Sequence, residues 1–374
     1  MRTVPAFANC HSHAFHRALR GRITGADSFW TWRDQMYAIA AVLDPDLLFD
    51  LARATYAEMY LAGIRSVGEF HYVHHQPNGE PYDDPNAMGE ALIAAAREAG
   101  VRITLLDTCY LAAGLSTSSR TSGPEGVQQR FSDGDAESWA RRVESLAQTH
   151  ADEDDVVIGA AIHSVRAVPR DQLATVAAAF PDAPLHVHVS EQPAENTECL
   201  AATGMTPVAL LAEAGAWTPR ATAVHATHLT ADDIATLGAA TSYVCFCPTT
   251  EAELADGIGP SVALRDAGAR LTLGSDSNTV IDMFAEARAV EMHHRLGTGV
   301  RGSWNAEQLW TAATTTGHES LGFDVTDRIE IADSARTAGS DELLWAATAA
   351  DVVGDHSDVA EQLEAAIDAC WSRV

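Results

Sequence analysis

One pattern recurs along this chain: a short run of β-branched and aliphatic residues ends in a polar residue and gives way to an alanine-rich stretch with apolar residues three and four apart. The runs are Val4–Asn9, Ile64–Phe70, Val101–Thr108, Val156–Ile162, Leu185–Val189, Thr222–Ala226, Ser242–Phe246 and Arg270–Gly274. Short, nearly continuous apolar runs read as strands buried on both faces, which is how parallel strands sit when helices cover them. Helical periodicity is clear over Asp46–Leu61, Ala87–Ala99, Asp135–Gln148, Gln172–Ala179 and Ala231–Ala239. Eight βα units with no long linker between them predict an α/β protein, a TIM-like (β/α)8 barrel. The predicted barrel occupies 1–322. A shortened region, 323–374, follows it and ends in the helix-like Asp358–Trp371. Two segments exceed an ordinary barrel connection: Arg20–Ala41, rich in tryptophan and arginine, and Leu111–Asp133, rich in serine, glycine and glutamine. Long loops at a barrel mouth are where substrates bind.

Composition removes whole classes of function. A formal net charge of -28 repels phosphate backbones, so nucleic acid and anionic membrane surfaces are excluded as partners and a small molecule is expected. All 24 basic side chains are arginine. Without lysine there is no Schiff base, no P-loop lysine and no carbamylated-lysine metal bridge. No stretch is long and apolar enough to span a membrane, and the first residues lack the pattern of an export signal, so a cytoplasmic protein is expected. Six cysteines lie without zinc-finger spacing, as reduced thiols do; Cys245 and Cys247 read as two thiols on one side of a buried strand rather than as metal ligands.

Catalytic side chains of this fold project from the C-terminal ends of the strands. Here those ends carry His11-Ser12-His13, Glu69 to Tyr72, His163, His188 to Glu191, His225 and Asp276. His11 and His13, two apart on an extended strand end, point to one side and suit a shared metal ion. His186 and His188 form a second such pair. His188 is favoured because Glu191 follows three residues later, where a carboxylate can move a proton beside activated water. His186 reads as a core histidine. Asp276 offers a hard oxygen to the same metal, although the same position would also suit a helix N-cap. His225 is preferred over His228 because it lies nearer its strand.

These residues carry a family resemblance. Asn9-Cys10-His11-Ser12-His13-Ala14-Phe15 resembles the opening motif of the amidohydrolase superfamily. Ser28-Phe29-Trp30-Thr31-Trp32-Arg33, the run from Val67 to His75, Val224-His225-Ala226-Thr227-His228-Leu229 and Cys247-Pro248-Thr249-Thr250-Glu251 resemble the formimidoylglutamate deiminase family, with the match running from about Val4 to about Gly322. The resemblance implies a metal held by His11, His13, His188 and Asp276. It also implies catalysis by Glu191, His225 and Asp276, and substrate contacts from Arg33, Tyr72, His163 and Arg166. One zinc per subunit is expected, a site that iron or manganese also suits. His16 stands where the resemblance implies a substrate-binding glutamine, and it too can donate a hydrogen bond. The family's small β-sandwich, built from residues on both sides of the barrel, is expected to be largely missing. A second subunit is the expected cover for the barrel surface so left, giving a homodimer.

The implied substrate, N-formimino-L-glutamate, is a dicarboxylate formed in histidine catabolism, and the forks of Arg33 and Arg166 suit carboxylates. Its hydrolytic deimination gives N-formyl-L-glutamate and ammonia. Two alternatives stand beside this. One is a mononuclear deaminase of a cyclic amidine, purine or pterin, whose site would want more aromatic stacking and fewer arginines. The other is a catalytically decayed dicarboxylate-binding protein, which the intact set of six metal and catalytic positions opposes.

Overall fold

A computed structural model describes residues 1–22, 29–115, 123–355 and 358–374. Ser28, and parts of both long insertions, lie outside the described residues. The strands are β1 (Arg2–Pro5), β2 (Phe7–Ser12), β3 (Ile64–His71), β4 (Arg102–Cys109), β5 (Val156–Ile162), β6 (Leu185–Val189), β7 (Ala221–His225), β8 (Tyr243–Phe246), β9 (Arg270–Leu273) and β10 (Arg328–Ile331). β2 to β9 form one eight-stranded sheet in sequence order with every neighbouring pair parallel. Helices such as Pro45–Leu61, Ala87–Ala99, Ala136–Thr149 and Met283–Thr298 cover its outside. This is the eightfold βα barrel, and its strands are apolar because both faces are buried. Among the described residues no helix is long and apolar enough to cross a membrane.

The barrel seam, between β2 and β9, is closed by local devices rather than a full ladder. His13 N donates to Asp276 O at 3.0 Å and Asp276 N to His11 O at 2.9 Å, around a parallel bridge between Ser12 and Asp276. The Asn9 side-chain amide adds a pair of bonds to Ser275, one to its hydroxyl at 2.7 Å and one from its backbone N–H at 2.9 Å. Gly274 makes this approach feasible: a Cβ there would stand 2.8 Å from both the Cβ and the carbonyl oxygen of His11. The seam therefore locks the first histidine pair and Asp276 to one another.

The structure corrects the first predicted strand. Val4–Asn9 is two elements: Arg2–Pro5 leaves the barrel to pair antiparallel with β10, and the first barrel strand starts only at Phe7 and runs on to Ser12. The burial pattern shows why. Every residue of β2 is buried, as a barrel position requires, whereas β1 is half exposed and ends in Pro5, which has no N–H to give a central ladder. At the other end of the chain, the helix Val359–Trp371 packs on Pro45–Leu61, and Trp371 Nε1 donates to Ala18 O at 2.8 Å.

Candidate active site

At the C-terminal mouth of the barrel four side chains converge. His11 and His13 leave the end of β2, His188 comes from β6, and Asp276 follows β9. The ligating nitrogens of His11, His13 and His188 lie within 4.8 Å of one another. Asp276 Oδ1 is 3.5 Å from Nε2 of both His11 and His13, and the Nε2 atoms of His11 and His188 are 3.0 Å apart. Asp276 is not a helix cap; Asp282 caps the following helix, Met283–Thr298.

The second nitrogens of two of these rings set the tautomers. His13 Nδ1 donates to Phe70 O at 2.8 Å and His188 Nδ1 to His163 O at 3.0 Å. A carbonyl only accepts, so both rings carry their proton on Nδ1 and turn a bare Nε2 lone pair inward. Burial lowers the pKa of His11, His13 and His188, keeping the imidazoles neutral. Burial alone would raise the Asp276 carboxyl, but the hydrogen bond with His11 and the charge of His225 hold it well below its ordinary value. Neutral imidazole lone pairs and an ionised carboxylate, all facing one point, fit a divalent cation of the first transition row.

Beside this cluster stand a carboxyl and an imidazole of opposite tendency. Burial raises the Glu191 pKa against the pull of His225 and Arg166. For His225, burial is outweighed by Glu191, Glu251 and Asp276, which raise it well above its ordinary value. Its Nε2 is 3.9 Å from both Glu191 Oε1 and Asp276 Oδ2. Its Nδ1 meets Glu251 Oε1 at 3.4 Å, and that oxygen also accepts from Cys247 N at 2.9 Å. Glu251 thus orients His225, a role that sequence reasoning missed. The signal was a carboxylate just after a strand end with no other stated use. Ser190, His225, Ala226, Asp276 and Asn278 all adopt positive φ, between 45 and 67°. Strained non-glycine backbone gathers where side chains must be aimed.

A cavity of about 290 Å³ opens onto these groups, and it collects every substrate-binding position expected from sequence: His16, Arg33, Tyr72, His163 and Arg166. His16 Nε2 and Tyr72 Oη are 2.9 Å apart. Burial, with Arg166, His11 and His16, pushes His163 down to about 3, so it is neutral. Arg166 lines the cavity, and among the described residues its buried Nε has no hydrogen-bond partner. The wall also contains residues that were not foreseen, Trp32, Tyr37, Tyr110, Gln128 and Phe131. Tyr110 directly follows β4, which with β8 is one of the two strand ends at which the sequence reading placed no functional group. His228 does lie outside the cluster, bonded to Asp256 O at 2.7 Å. His186 is buried in β6 as expected, but among the described residues neither of its ring nitrogens has a hydrogen-bond partner.

The chain matches the amidohydrolase family model over residues 3–335. It is 36% identical to the formimidoylglutamate deiminase of Pseudomonas aeruginosa over 85% of this chain and 72% of that protein. It is 27% identical to a 5-methylthioadenosine/S-adenosylhomocysteine deaminase of Teredinibacter turnerae over 86% of this chain and 67% of that one. A crystal structure of an amidohydrolase from Brucella melitensis superposes with a TM-score of 0.89 at 30% identity, covering 99% of this chain and 90% of the other. With strand ends, seam and cavity arranged as they are, the match places the chain in a family of hydrolases acting on C–N bonds: it belongs to the amidohydrolase family.

Proposed function

We propose that the protein is a formimidoylglutamate deiminase, hydrolysing N-formimino-L-glutamate to N-formyl-L-glutamate and ammonia in histidine catabolism. The observation that carries this is the pairing of Arg33 and Arg166 on the wall of a cavity that ends at Glu191, His225 and Asp276. A dicarboxylate needs cationic forks at one end of the site and proton-transfer groups at the other. The sequence similarity to the Pseudomonas aeruginosa enzyme supports the same reading.

His11, His13, His188 and Asp276 would hold zinc, which supplies Lewis acidity and lowers the pKa of water toward neutrality. Glu191, whose pKa burial raises, takes the proton of the attacking water and delivers it to the imine nitrogen. Cationic His225, kept in place by Glu251, stabilises the negative charge that develops on the attacking oxygen. The remaining proton of the hydroxyl passes to the same nitrogen through Glu191, the C–N bond breaks, nitrogen leaves as ammonia, and the carbon keeps the water oxygen as a formyl group. Arg166 and Arg33 hold the carboxylates, with Tyr72 and His163 between them and the reacting carbon.

A second reading has one observation in its favour. Trp32, Tyr37, Tyr72, Tyr110 and Phe131 give the cavity an aromatic wall, which a cyclic amidine such as a purine would use for stacking. The two arginines weigh against it. Ammonia release from N-formimino-L-glutamate by zinc-loaded protein, with 5-methylthioadenosine as the competing substrate, separates the two. Glu191→Gln is expected to lower turnover by about 10²–10⁴-fold while zinc stays bound. Turnover of the nucleoside alone would overturn the first reading.

A further inference from the structure

One wall of the cavity contains an arrangement that the reaction above does not use. Along the cavity the rings of His188, His163 and Tyr110 succeed one another at centroid distances of 5.3 and 4.7 Å, so the Tyr110 hydroxyl lies two rings away from the metal-binding nitrogens. At that end Gln128 Nε2 is 3.0 Å from Tyr37 Oη and 2.9 Å from Tyr110 Oη. The amide orientation is not arbitrary. Glu125 N, which only donates, meets Gln128 Oε1 at 3.2 Å. The amide NH₂ must therefore face the two phenols and donate to both.

A phenol oxygen that accepts from an amide has its own O–H left over. If the two tyrosines bonded to one another, one O–H would still remain to donate into the cavity. Burial keeps the Tyr110 phenol protonated, with its pKa raised. Arg33 stacks over the Tyr37 ring at 5.5 Å, and Arg33 and Arg166 both exert their charge on Tyr110. Neutral donors flanked by two guanidiniums form a site for an anion, and the planar guanidinium forks suit a carboxylate.

We propose that Gln128 orients Tyr37 and Tyr110 as hydrogen-bond donors for the carboxylate at the far end of the substrate, making these three residues the specificity-determining subsite for a dicarboxylate. This rests on the reading of the protein as a formimidoylglutamate deiminase. The subsite explains why a cavity so rich in aromatic rings would prefer an acyclic diacid: the phenols serve as donors at their rims rather than as stacking faces. It also gives the Leu111–Asp133 insertion a defined task, since Gln128 comes from its helical turn Gly126–Phe131.

The test is a ratio. kcat/KM is measured for N-formimino-L-glutamate and for N-formimino-L-norvaline, which replaces the far carboxylate by a methyl group. Gln128→Leu and Tyr110→Phe are expected to lower the ratio of the two by roughly tenfold or more, as loss of hydrogen bonds to a charged group does. Gln128→Glu keeps the shape but accepts from the phenols, and is expected to lower the ratio at least as far. A ratio within about twofold of wild type in all three variants would overturn the subsite, because a merely structural loss lowers both substrates together. Calorimetric binding of glutarate against butyrate to the zinc-loaded protein separates the two hypotheses. Should the wild type release no ammonia, the functional reading fails. A glutarate preference that falls in Gln128→Leu and Tyr110→Phe then keeps the subsite, whereas an unchanged preference removes it.

Discussion

The same barrel holds two buried clusters of histidine and aspartate. One is His11, His13, His188 and Asp276; the other is His71, His74 and Asp107, whose ligand atoms also lie within 4.8 Å of one another. By residue type and burial they are alike. Their surroundings differ. Asp276 meets only imidazoles, whereas both oxygens of Asp107 accept from Arg142 at 2.8 Å, and Trp139 Nε1 adds a bond at 3.1 Å. The same guanidinium holds Asp133 through two bonds at 2.9 Å, and Asp133 meets His75 Nε2 at 3.1 Å. A cation placed at the second cluster would face a fixed guanidinium, and the carboxylate it needs is already neutralised. At the first, lone pairs are aimed at one point, and among the described residues no guanidinium meets Asp276, whose partners are the imidazoles of His11, His13 and His225. What separates a metal centre from a structural network here is charge compensation, not ligand spacing.

The sharpest way to break this contrast is to delete one histidine from each cluster. His13→Ala is expected to abolish stoichiometric zinc binding and to cost at least about 10³-fold in turnover, since the Lewis acid leaves with its ligand. His74→Ala is expected to keep one zinc per chain. Metal analysis after dialysis decides between them, and zinc lost equally from both variants would erase the distinction. Next in size is Arg142→Leu, which leaves the buried carboxylates of Asp107 and Asp133 without their guanidinium. A loss of about 3–5 kcal/mol in stability is expected, the usual consequence of removing one partner from a buried ion pair. Urea unfolding measures it. A loss below about 1 kcal/mol, the scale of an exposed pair, would mean that the network is solvated and the comparison misplaced.

The metal end was far more legible in the sequence than the substrate end, and the reason is geometric. His11 and His13, Glu191 near His188, His225 and Asp276 sit at the ends of strands, where position along a regular element dictates direction. Tyr37 and Gln128 come from the two insertions, and nothing in their spacing brings them together; only the fold places both against Tyr110. Arg130 shows the same limit. It is fully buried and donates to the carbonyls of His75 at 3.0 Å and Leu43 at 2.8 Å, and also to Ala40, pinning both insertions to the loop after β3. An arginine in a glutamine- and serine-rich loop reads as solvated surface until its three carbonyl partners are seen. The misplaced first strand has another cause. Val4 and Phe7 differ little in β propensity, and the break between sheets falls at Pro5, whose missing N–H weighs only once the ladder is known.

The smallest effect expected is a difference in pH dependence, and its sign follows from the second cluster. His74 is pushed down from 6.5 to about 4, first by burial and then by Arg142, outweighing Asp107 and Asp133. Between those values the unfolded chain binds a proton that the folded protein does not, so stability falls as pH drops from about 6.5 toward 4. Asp107 and Asp133, both depressed, act in the same direction at lower pH: their contribution is present above the ordinary carboxylate pKa and is lost as pH falls through their folded values. From pH 7 to 5 the His74 share amounts to about 2 kcal/mol. The metal-free active site adds a slope of its own through His13 and His188, which are depressed by burial as well. The informative quantity is thus the difference between wild type and His74→Gln in metal-free protein, read by urea unfolding at the two pH values. A shallower slope in the variant is expected. Equal slopes would mean that His74 takes its proton as readily folded as unfolded, and the second cluster would then be able to receive positive charge, which is the property that the contrast with Asp276 denies it.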